Sequence, residues 1–210
     1  MTTTLLCLHG FSQNGPALRE QMQDLLPRLP TALVLDFPDG PHECSPESVE
    51  RLQRFLRGAH LPPPHRCYWD ATDDGRVYRG WEASLDLLRE RVRGVQRLGV
   101  LGFSQGAGVS AALCALAARH EFPKIEFAVL IAGRRPRADA MQSLFAQPLD
   151  TPSLHVWGER DAIANEHSPI LVEHFTASQR QVVQWPGSHN VPTRGPASDV
   201  IVDFITAHTA

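Results

Sequence analysis

One serine of the chain stands between two glycines, in the stretch VLGFSQGAG that covers 100–108. The pattern G-x-S-x-G, here Gly102 to Gly106, is typical of a nucleophile on a tight turn between a strand and a helix. Since glycine has no side chain, the strand and the helix can approach each other closely at such a turn. The pattern predicts that Ser104 is a nucleophile, and a helix-capping serine is the alternative interpretation.

A serine hydroxyl is a weak nucleophile until a base removes its proton, and that base is commonly a histidine oriented by a carboxylate. Both residue types follow Ser104: Asp161 comes after the predicted strand 153–157, and His189 comes after the predicted strand 181–185. The order serine, acid, histidine unites the three only if the sheet is wound in the manner of a hydrolase. We therefore predict a triad of Ser104, His189 and Asp161.

Other acidic and histidine residues compete for these roles. Glu159 is the alternative acid, and Asp161 is preferred because the longer Glu159 side chain costs more conformational entropy to order. The alternative interpretation of His189 is a solvated loop histidine, since the chain has ten histidines. His155 lies inside an apolar run and is interpreted as a packed or hydrogen-bonded residue rather than a base.

Two backbone N–H groups are candidates for stabilising the anion that forms when a serine attacks a carbonyl. Gln105 begins the helix after Ser104, so its N–H is expected to face the space before the serine hydroxyl. The second donor is expected from the loop after the first strand, where Phe11 supplies an N–H. Ser12 is the next residue of that loop and is expected to contact the substrate.

The candidate residues lie at the ends of apolar strands in a chain that alternates between strands and helices. Strands are predicted at 4–8, 32–35, 98–101, 127–131, 153–157 and 181–185. Helices are predicted at 18–29, from Pro46 to the closing Gly58, and at 81–92, 105–119, 138–145, 169–177 and 200–208. This alternation is typical of an α/β fold, with a mostly parallel central sheet and helices on both faces. The irregular segment 38–79 is expected to border the substrate pocket.

Length and composition predict one domain over 1–210 and exclude some functions. The hydrophobic fraction of 42% and the formal net charge of -3 leave no basic excess that would favour nucleic acid. The apolar run at 5–8 is far shorter than a signal-peptide core or a bilayer span. We therefore expect a cytoplasmic protein with no membrane span.

Neither a metal site nor a disulfide is expected. His60, His65 and Cys67 lie close together in the sequence, but their spacing matches no tetrahedral zinc pattern. The four cysteines include no CxxC pair, and two of them lie in apolar runs where a reduced thiol packs as a small hydrophobic group.

Six motifs along the chain resemble the FSH family of serine hydrolases, within the α/β-hydrolase superfamily. They are LHGF with QNG at 8–15, YRGWEAS at 78–84, GFSQG at 102–106, AGRRP at 132–136, GERD at 158–161 and PGSHNVP at 186–192. The resemblance implies the α/β-hydrolase fold with little or no cap domain and an esterase or thioesterase activity. It assigns the triad to Ser104, Asp161 and His189, and it implies no cofactor and no metal.

The expected pocket combines aromatic and basic side chains. The aromatic candidates are Phe11, Tyr68, Trp69, Tyr78 and Trp81, of which Trp81 has core packing as an equal interpretation. Arg134 departs from the family, which usually has an aromatic residue there. With Arg135 it forms either a solvated rim or, if it faces the pocket, a site that favours an acyl group with a distal carboxylate.

The sequence therefore predicts a serine hydrolase that cleaves acyl esters through an acyl-enzyme intermediate. The expected binding partner of the protein is a small-molecule substrate, an acyl ester or thioester. A thioesterase or an acyltransferase would use the same triad, and these activities remain the alternatives. A non-catalytic α/β-hydrolase scaffold that binds a ligand is the alternative from another class. The sequence leaves open whether two copies form a homodimer.

Overall fold

The computed structural model of the protein describes residues 2–55 and 62–209. Its strands are β1 (Thr3–Leu8), β2 (Leu33–Asp36), β3 (His42–Glu43), β4 (Arg66–Cys67), β5 (Asp70–Ala71), β6 (Tyr78–Arg79), β7 (Arg97–Phe103), β8 (Ile125–Ile131), β9 (Ser153–Gly158) and β10 (Arg180–Trp185). Six of them form one parallel sheet in the order β10-β9-β8-β7-β1-β2. The predicted mostly parallel sheet is confirmed.

Helices cover both faces of this sheet. They are α1 (Gly15–Gln21), α3 (Trp81–Arg91), α4 (Gln105–Ala118), α5 (Ala162–Val172) and α6 (Pro196–Thr209), while a further helix, α2 (Pro46–Phe55), packs in a separate cluster with β4. Alternate residues of β1 face opposite sides, so Leu6 packs with α3 and α4 while Leu5 packs with α1 and α6. Because both faces are covered, the inner strands β1, β7 and β8 are buried along nearly their whole length, as their continuous apolar runs predicted, whereas the edge strand β10 is polar and partly exposed.

Three predicted helices differ from the structure. The helix expected at 18–29 is the shorter α1, followed by a 3-10 turn at Leu26–Arg28, and the helix expected at 138–145 is a 3-10 helix at Asp139–Phe145. The helix expected at 169–177 was placed wrongly, because α5 begins at Ala162 and contains Pro169. Asp161 caps this helix, so it begins seven residues before the predicted start at Pro169.

The irregular segment 38–79 contains α2 and two small antiparallel pairs, β3 with β4 and β5 with β6. The helix predicted from Pro46 is present as α2. Its predicted closing residue, Gly58, lies outside the described residues.

The order of the strands determines where a ligand can enter. From β1 the chain continues to β2 on one side, and β7 occupies the other side of β1. In open α/β sheets a crevice forms where the strand order reverses in this way, beyond the carboxyl ends of the strands. The loops after β1 and β7 therefore border the expected site. Among the described residues no helix is long and apolar enough to cross a membrane.

Candidate active site

Ser104 occupies a turn with an uncommon backbone conformation, directly between β7 and α4. Its φ of 53° and ψ of -112° lie in a region that residues with a side chain rarely adopt, and such a conformation persists only where the surroundings hold it. The Ser104 N–H donates to the carbonyl of Ile131 at 2.9 Å, and the Ser104 carbonyl accepts from Ala107 at 3.1 Å. These bonds anchor the turn to β8 and to the first turn of α4.

The two glycines around Ser104 are required by close backbone contacts. A Cβ atom built on Gly102 would lie 2.2 Å from the carbonyl oxygen of Gly106. One built on Gly106 would lie 2.0 Å from the carbonyl oxygen of Leu8. Any side chain at either position would therefore separate α4 from β7 or from β1 and displace the serine.

The structure brings the three predicted catalytic side chains together in one line of hydrogen bonds. His189 Nε2 lies 3.0 Å from Ser104 Oγ, and His189 Nδ1 lies 2.7 Å from Asp161 Oδ2. Because an ionised carboxylate can only accept hydrogen bonds, Nδ1 carries the ring proton, and in the neutral ring Nε2 is free to accept from the serine hydroxyl. The His189 side chain is 13% exposed, so it also reaches water.

Asp161 is held as a carboxylate by several donors. Burial alone would raise its pKa, but the hydrogen bond and charge of His189, together with the N–H groups of Ala164 and Ile163, bring its pKa below the ordinary value. The two N–H groups bind Oδ1 at 3.0 and 3.1 Å and leave Oδ2 for His189. One side chain thus caps α5 and orients the imidazole.

The loops that carry Asp161 and His189 are joined to each other. Gly158 ends β9, and a Cβ atom there would lie 2.4 Å from the carbonyl oxygen of Gly187, two residues before His189. The Arg160 N–H donates to that same Gly187 oxygen at 2.9 Å. The spacing between acid and histidine therefore depends on a direct backbone contact.

The rejected alternatives occupy other places. The Glu159 side chain is exposed, and its main-chain N–H bonds Trp185. His155 is buried, with Nε2 at 3.1 Å from the Ser153 hydroxyl and its ring edge-on to Phe175. Burial lowers the pKa of His155 to about 3, so it is a neutral packed residue as expected.

The two predicted N–H donors are both available for a ligand. Within residues 2–55 and 62–209, neither the Phe11 N–H nor the Gln105 N–H has a hydrogen-bond acceptor. The side chain of Gln105 has a further role that the sequence did not indicate. Its Oε1 accepts from the Tyr68 N–H and its Nε2 donates to the Trp69 carbonyl, each at 2.9 Å, so it anchors the pocket wall to the start of α4.

His9 is a second residue whose role sequence reasoning missed. Its buried ring accepts the Gly40 N–H at Nε2, at 2.8 Å, so Nδ1 carries the proton and donates to the Gly10 carbonyl at 2.8 Å. Burial lowers the pKa of His9 to about 4 and keeps the ring neutral. The ring therefore fixes the loop that carries the Phe11 N–H. A histidine directly after a buried strand was the available signal.

A cavity of about 340 Å³ lies against Ser104 and Gln105. Four of the predicted pocket residues line it: Phe11, Trp69, Tyr78 and Arg134. The rings of Trp69 and Tyr78 stack with their centroids 4.5 Å apart, and the Tyr78 hydroxyl accepts the Arg137 N–H at 2.9 Å. The segment 38–79 borders this cavity, as α2 contributes Ser48, Arg51 and Leu52.

Three predicted pocket residues do not line the cavity and require correction. Ser12 is fully buried, and its hydroxyl hydrogen-bonds His65 at 3.0 Å. Tyr68 is fully buried against His9, with its hydroxyl donating to the Pro38 carbonyl at 3.1 Å. Trp81 packs edge-on to Trp69 from within the core, which agrees with the core interpretation rather than the pocket one.

Charged residues of the cavity were only partly foreseen. Arg134 is half-buried and lines the cavity, whereas Arg135 does not. Arg51, Asp70 and Arg137 also line it, and no sequence motif indicated them. They come from three separate segments of the chain, which only the fold brings together.

The described part of the chain contains no group of three His, Cys, Asp or Glu residues that could hold a metal ion, and the candidate His60 lies outside it. Each of the four cysteines is a free, buried thiol.

Comparison with known proteins places this geometry in context. The family model described as serine hydrolase (FSH1) matches residues 1–201. Among curated relatives, an esterase OVCA2 from Xenopus tropicalis is 31% identical over 96% of this chain and 91% of its own length. An esterase OVCA2 from Danio rerio is 31% identical over 96% of this chain and 95% of its own length.

Solved structures share the fold at lower identity. Acyl-protein thioesterase 2 from Zea mays superposes with a TM-score of 0.73 at 20% sequence identity, covering 100% of this chain and 94% of that one. Such structures are α/β hydrolases, and the predicted fold class is therefore confirmed.

Proposed function

Because the chain belongs to the FSH1 family of serine hydrolases, we propose that it cleaves carboxylic esters through Ser104, with His189 as the base and Asp161 as the residue that orients it. The observation that carries this proposal is the continuous line of hydrogen bonds from Asp161 through His189 to Ser104. Each link has the length and the donor order that proton transfer requires.

The first half of the reaction forms the acyl-enzyme. His189 Nε2 takes the proton from Ser104 Oγ as Oγ bonds to the ester carbonyl carbon, and the carbonyl oxygen becomes an oxyanion. The unpaired N–H groups of Phe11 and Gln105 stabilise that oxyanion, and a donor of this kind contributes about 10²- to 10³-fold to kcat. The intermediate collapses as the imidazolium returns the proton to the leaving alkoxide.

The second half releases the acid. Water enters beside His189, which is partly exposed, and loses a proton to Nε2 while its oxygen attacks the acyl carbon. Collapse of the second oxyanion returns the proton to Ser104. Throughout, the paired carboxylate of Asp161 stabilises the positive charge on the ring.

Ser104, in the turn before α4, provides the test, and Ser110, within α4, provides the control. Ser104→Ala is expected to keep the thermal stability of the wild type and to lower kcat for p-nitrophenyl butyrate by at least about 10⁴-fold. It is also expected to lose labelling by a fluorophosphonate. Ser110→Ala is the matched control, because Ser110 is buried within α4 away from the cavity, and its variant should keep both activity and labelling.

The outcomes separate the alternatives. Full activity in Ser104→Ala would refute the assignment, and absence of turnover and labelling in the wild type would favour a ligand-binding scaffold. Matched oxygen esters and thioesters, with and without an added alcohol acceptor, distinguish an esterase from a thioesterase or an acyltransferase. We expect hydrolysis of the oxygen ester to occur without an acceptor.

A further inference from the structure

The walls of the cavity carry an excess of positive charge. Three arginines line it, Arg51, Arg134 and Arg137, against one carboxylate, Asp70. Arg51 already has an ion pair with Asp73 on the protein surface. Within the described chain, neither Arg134 nor Arg137 has an ion pair with a carboxylate.

Arg134 is held in place without being neutralised. Its Nη2 donates to His167 Nε2, so His167 is a neutral acceptor with its own proton on Nδ1. The buried Arg134 Nε has no hydrogen-bond partner within residues 2–55 and 62–209. Burial first, and the nearby charge of Arg137 second, lower the pKa of Arg134, which means that its charge is under-compensated.

The acidic groups close to this pair do not remove the excess. Glu166 lies 3.8 Å from His167 Nε2, but its side chain is 74% exposed, so water screens its attraction for Arg134. Asp70 lies on the side of the cavity formed by α2, within 3.5 Å of the Ser48 hydroxyl. A half-buried guanidinium whose N–H group has no acceptor raises the free energy of the protein unless a bound anion pairs with it.

Arg134 also lies close to the nucleophile. Its main chain contacts α4 at Gly108, where an added Cβ would be 3.0 Å from the Arg134 carbonyl oxygen. Gly108 follows Ser104 by four residues, which is a rise of about 6 Å along a helix. Ser104 and Arg134 also line the same cavity, so one bound substrate can contact both residues.

We propose that the substrate is an ester whose acyl chain ends in a carboxylate, and that Arg134 and Arg137 bind that carboxylate. This inference rests on the proposed esterase function and adds the class of its substrate. A single guanidinium can donate two parallel hydrogen bonds to a planar carboxylate, and a second positive charge nearby adds attraction. We assign the anion to the acyl side because the acyl group stays bound through both half-reactions, whereas the alcohol leaves after the first.

The apolar lining suits the remainder of such a chain. Phe11, Trp69 and Ile163 line the cavity together with Ser104, so methylene groups between the ester and the carboxylate have apolar contacts. The cavity lining therefore combines apolar side chains with guanidinium groups, and a neutral acyl chain would leave those guanidinium groups without an anion.

The test compares mono-p-nitrophenyl adipate with p-nitrophenyl methyl adipate, whose terminal carboxylate is capped as a methyl ester. Adipate is chosen because shorter half-esters cleave themselves through cyclic anhydrides, and the uncatalysed rate is subtracted. The wild type is expected to show a kcat/KM about 10- to 100-fold higher for the free carboxylate, the effect of one or two hydrogen bonds to a charged group. Arg134→Gln is expected to remove most of this preference for the free carboxylate, and Arg137→Gln is expected to remove part of it.

Arg135→Gln is the matched control, since it removes the neighbouring positive charge outside the cavity and should leave the ratio unchanged. If the wild type cleaves the free and the capped adipate esters with nearly equal kcat/KM, the proposal is refuted. This result does not depend on any variant, so it stands even if Arg134→Gln misfolds. If Arg135→Gln lowers the preference for the free carboxylate as much as Arg134→Gln does, the preference reflects the overall positive charge of this region rather than a site at Arg134, and the proposal is refuted. Faster cleavage of an ester with its carboxylate on the alcohol side would refute the acyl assignment.

The test remains separable from the esterase proposal. Fluorophosphonate labelling of Ser104 and turnover of p-nitrophenyl butyrate report on the triad alone. If both persist while the ratio is near one, the esterase stands and the substrate class fails. If both are absent, the esterase proposal itself fails.

Discussion

The carboxylate of Asp161 accepts from His189 and from two backbone N–H groups, whereas the guanidinium of Arg134, on the cavity wall, donates to a neutral histidine and its Nε has no partner among the described residues. We call these the catalytic end, formed by Ser104, His189 and Asp161, and the arginine end, formed by Arg134 and Arg137. Both charged groups have a lowered pKa. A lowered pKa has opposite meanings for the two groups. For the acid Asp161 it shows that the charged form is stabilised, and for the base Arg134 it shows that the charged form is destabilised.

The difference follows from what each end has to do. At the catalytic end a proton moves between fixed atoms, so every partner must be present in the protein before the substrate binds. At the arginine end a missing counter-charge is useful, because a ligand that supplies it gains free energy that a neutral ligand does not. Internal pairing thus indicates a reacting group, and an unpaired half-buried charge indicates a binding group.

The largest expected effect breaks the catalytic end alone. Asp161→Asn should lower kcat by about 10³- to 10⁴-fold, since an amide no longer selects the ring form that accepts from Ser104. The loss should be equal for the free and the capped adipate esters, because the arginine end is untouched. Steady-state kinetics on both substrates measure it.

Glu159→Gln is the control for this substitution, because Glu159 is the exposed acid two residues earlier. It should keep nearly wild-type kcat. A large loss in Glu159→Gln together with an active Asp161→Asn would move the acid role to Glu159 and contradict the comparison.

A smaller effect is expected from separating the loops of the catalytic end. Gly158→Ala places a Cβ 2.4 Å from the Gly187 carbonyl, and such overpacking costs about 1–3 kcal/mol in the free energy of unfolding. The displaced loop should also lengthen the contact between Asp161 and His189 and reduce kcat for both adipate esters. Urea unfolding and kinetics on the folded enzyme measure the two effects.

Gly94→Ala serves as the control for stability. Gly94 has a φ of 76° and open space around its Cβ, so alanine strains the backbone there without touching the site. It should lose stability and keep the kcat of the folded enzyme. An equal fall in kcat in both variants would mean that the loss reflects general destabilisation.

The smallest expected effect is the dependence of substrate binding at the arginine end on salt concentration. Raising ionic strength from about 0.01 M to about 1 M shortens the Debye length from about 30 Å to about 3 Å. The KM for the free adipate ester should rise severalfold, since screening weakens its attraction to Arg134 and Arg137. The KM for the capped ester should stay nearly constant, and a parallel rise for both would contradict a charged site.

Local patterns in the sequence were sufficient for the turn at Ser104 and for most strands. The spacing of Gly102 and Gly106 predicts that neither position has room for a side chain. The structure contains the close backbone contacts that this prediction implies. The predicted strands coincide with the six strands of the parallel sheet, of which the inner ones are continuous apolar runs. By contrast, α5 was misplaced: the prediction began it at Pro169, whereas Asp161 serves as its N-cap and the helix begins at Ala162.

The pocket was predicted less well than the fold. Tyr68 was expected in the pocket wall, and Trp81 in either the wall or the core. Both are buried in the protein, since an aromatic side chain gains as much from the core as from a pocket. Arg51 and Arg137 were not singled out at all, because an arginine in a loop or on a helix usually lies in water. Whether it lines a cavity depends on contacts between distant segments.

By itself the sequence determined the alternation of strands and helices, the tight turn that carries Ser104, and the chain order of the acid and the histidine that follow it, because each of these depends on residues close together in the chain. Only the tertiary structure decided that His189 lies 3.0 Å from Ser104, that His9 and Gln105 fix the surrounding loops, and that two arginines remain without carboxylate partners in the described chain. Hydrogen-bond lengths and charge balance depend on the packing of separate segments, and no local pattern encodes that packing.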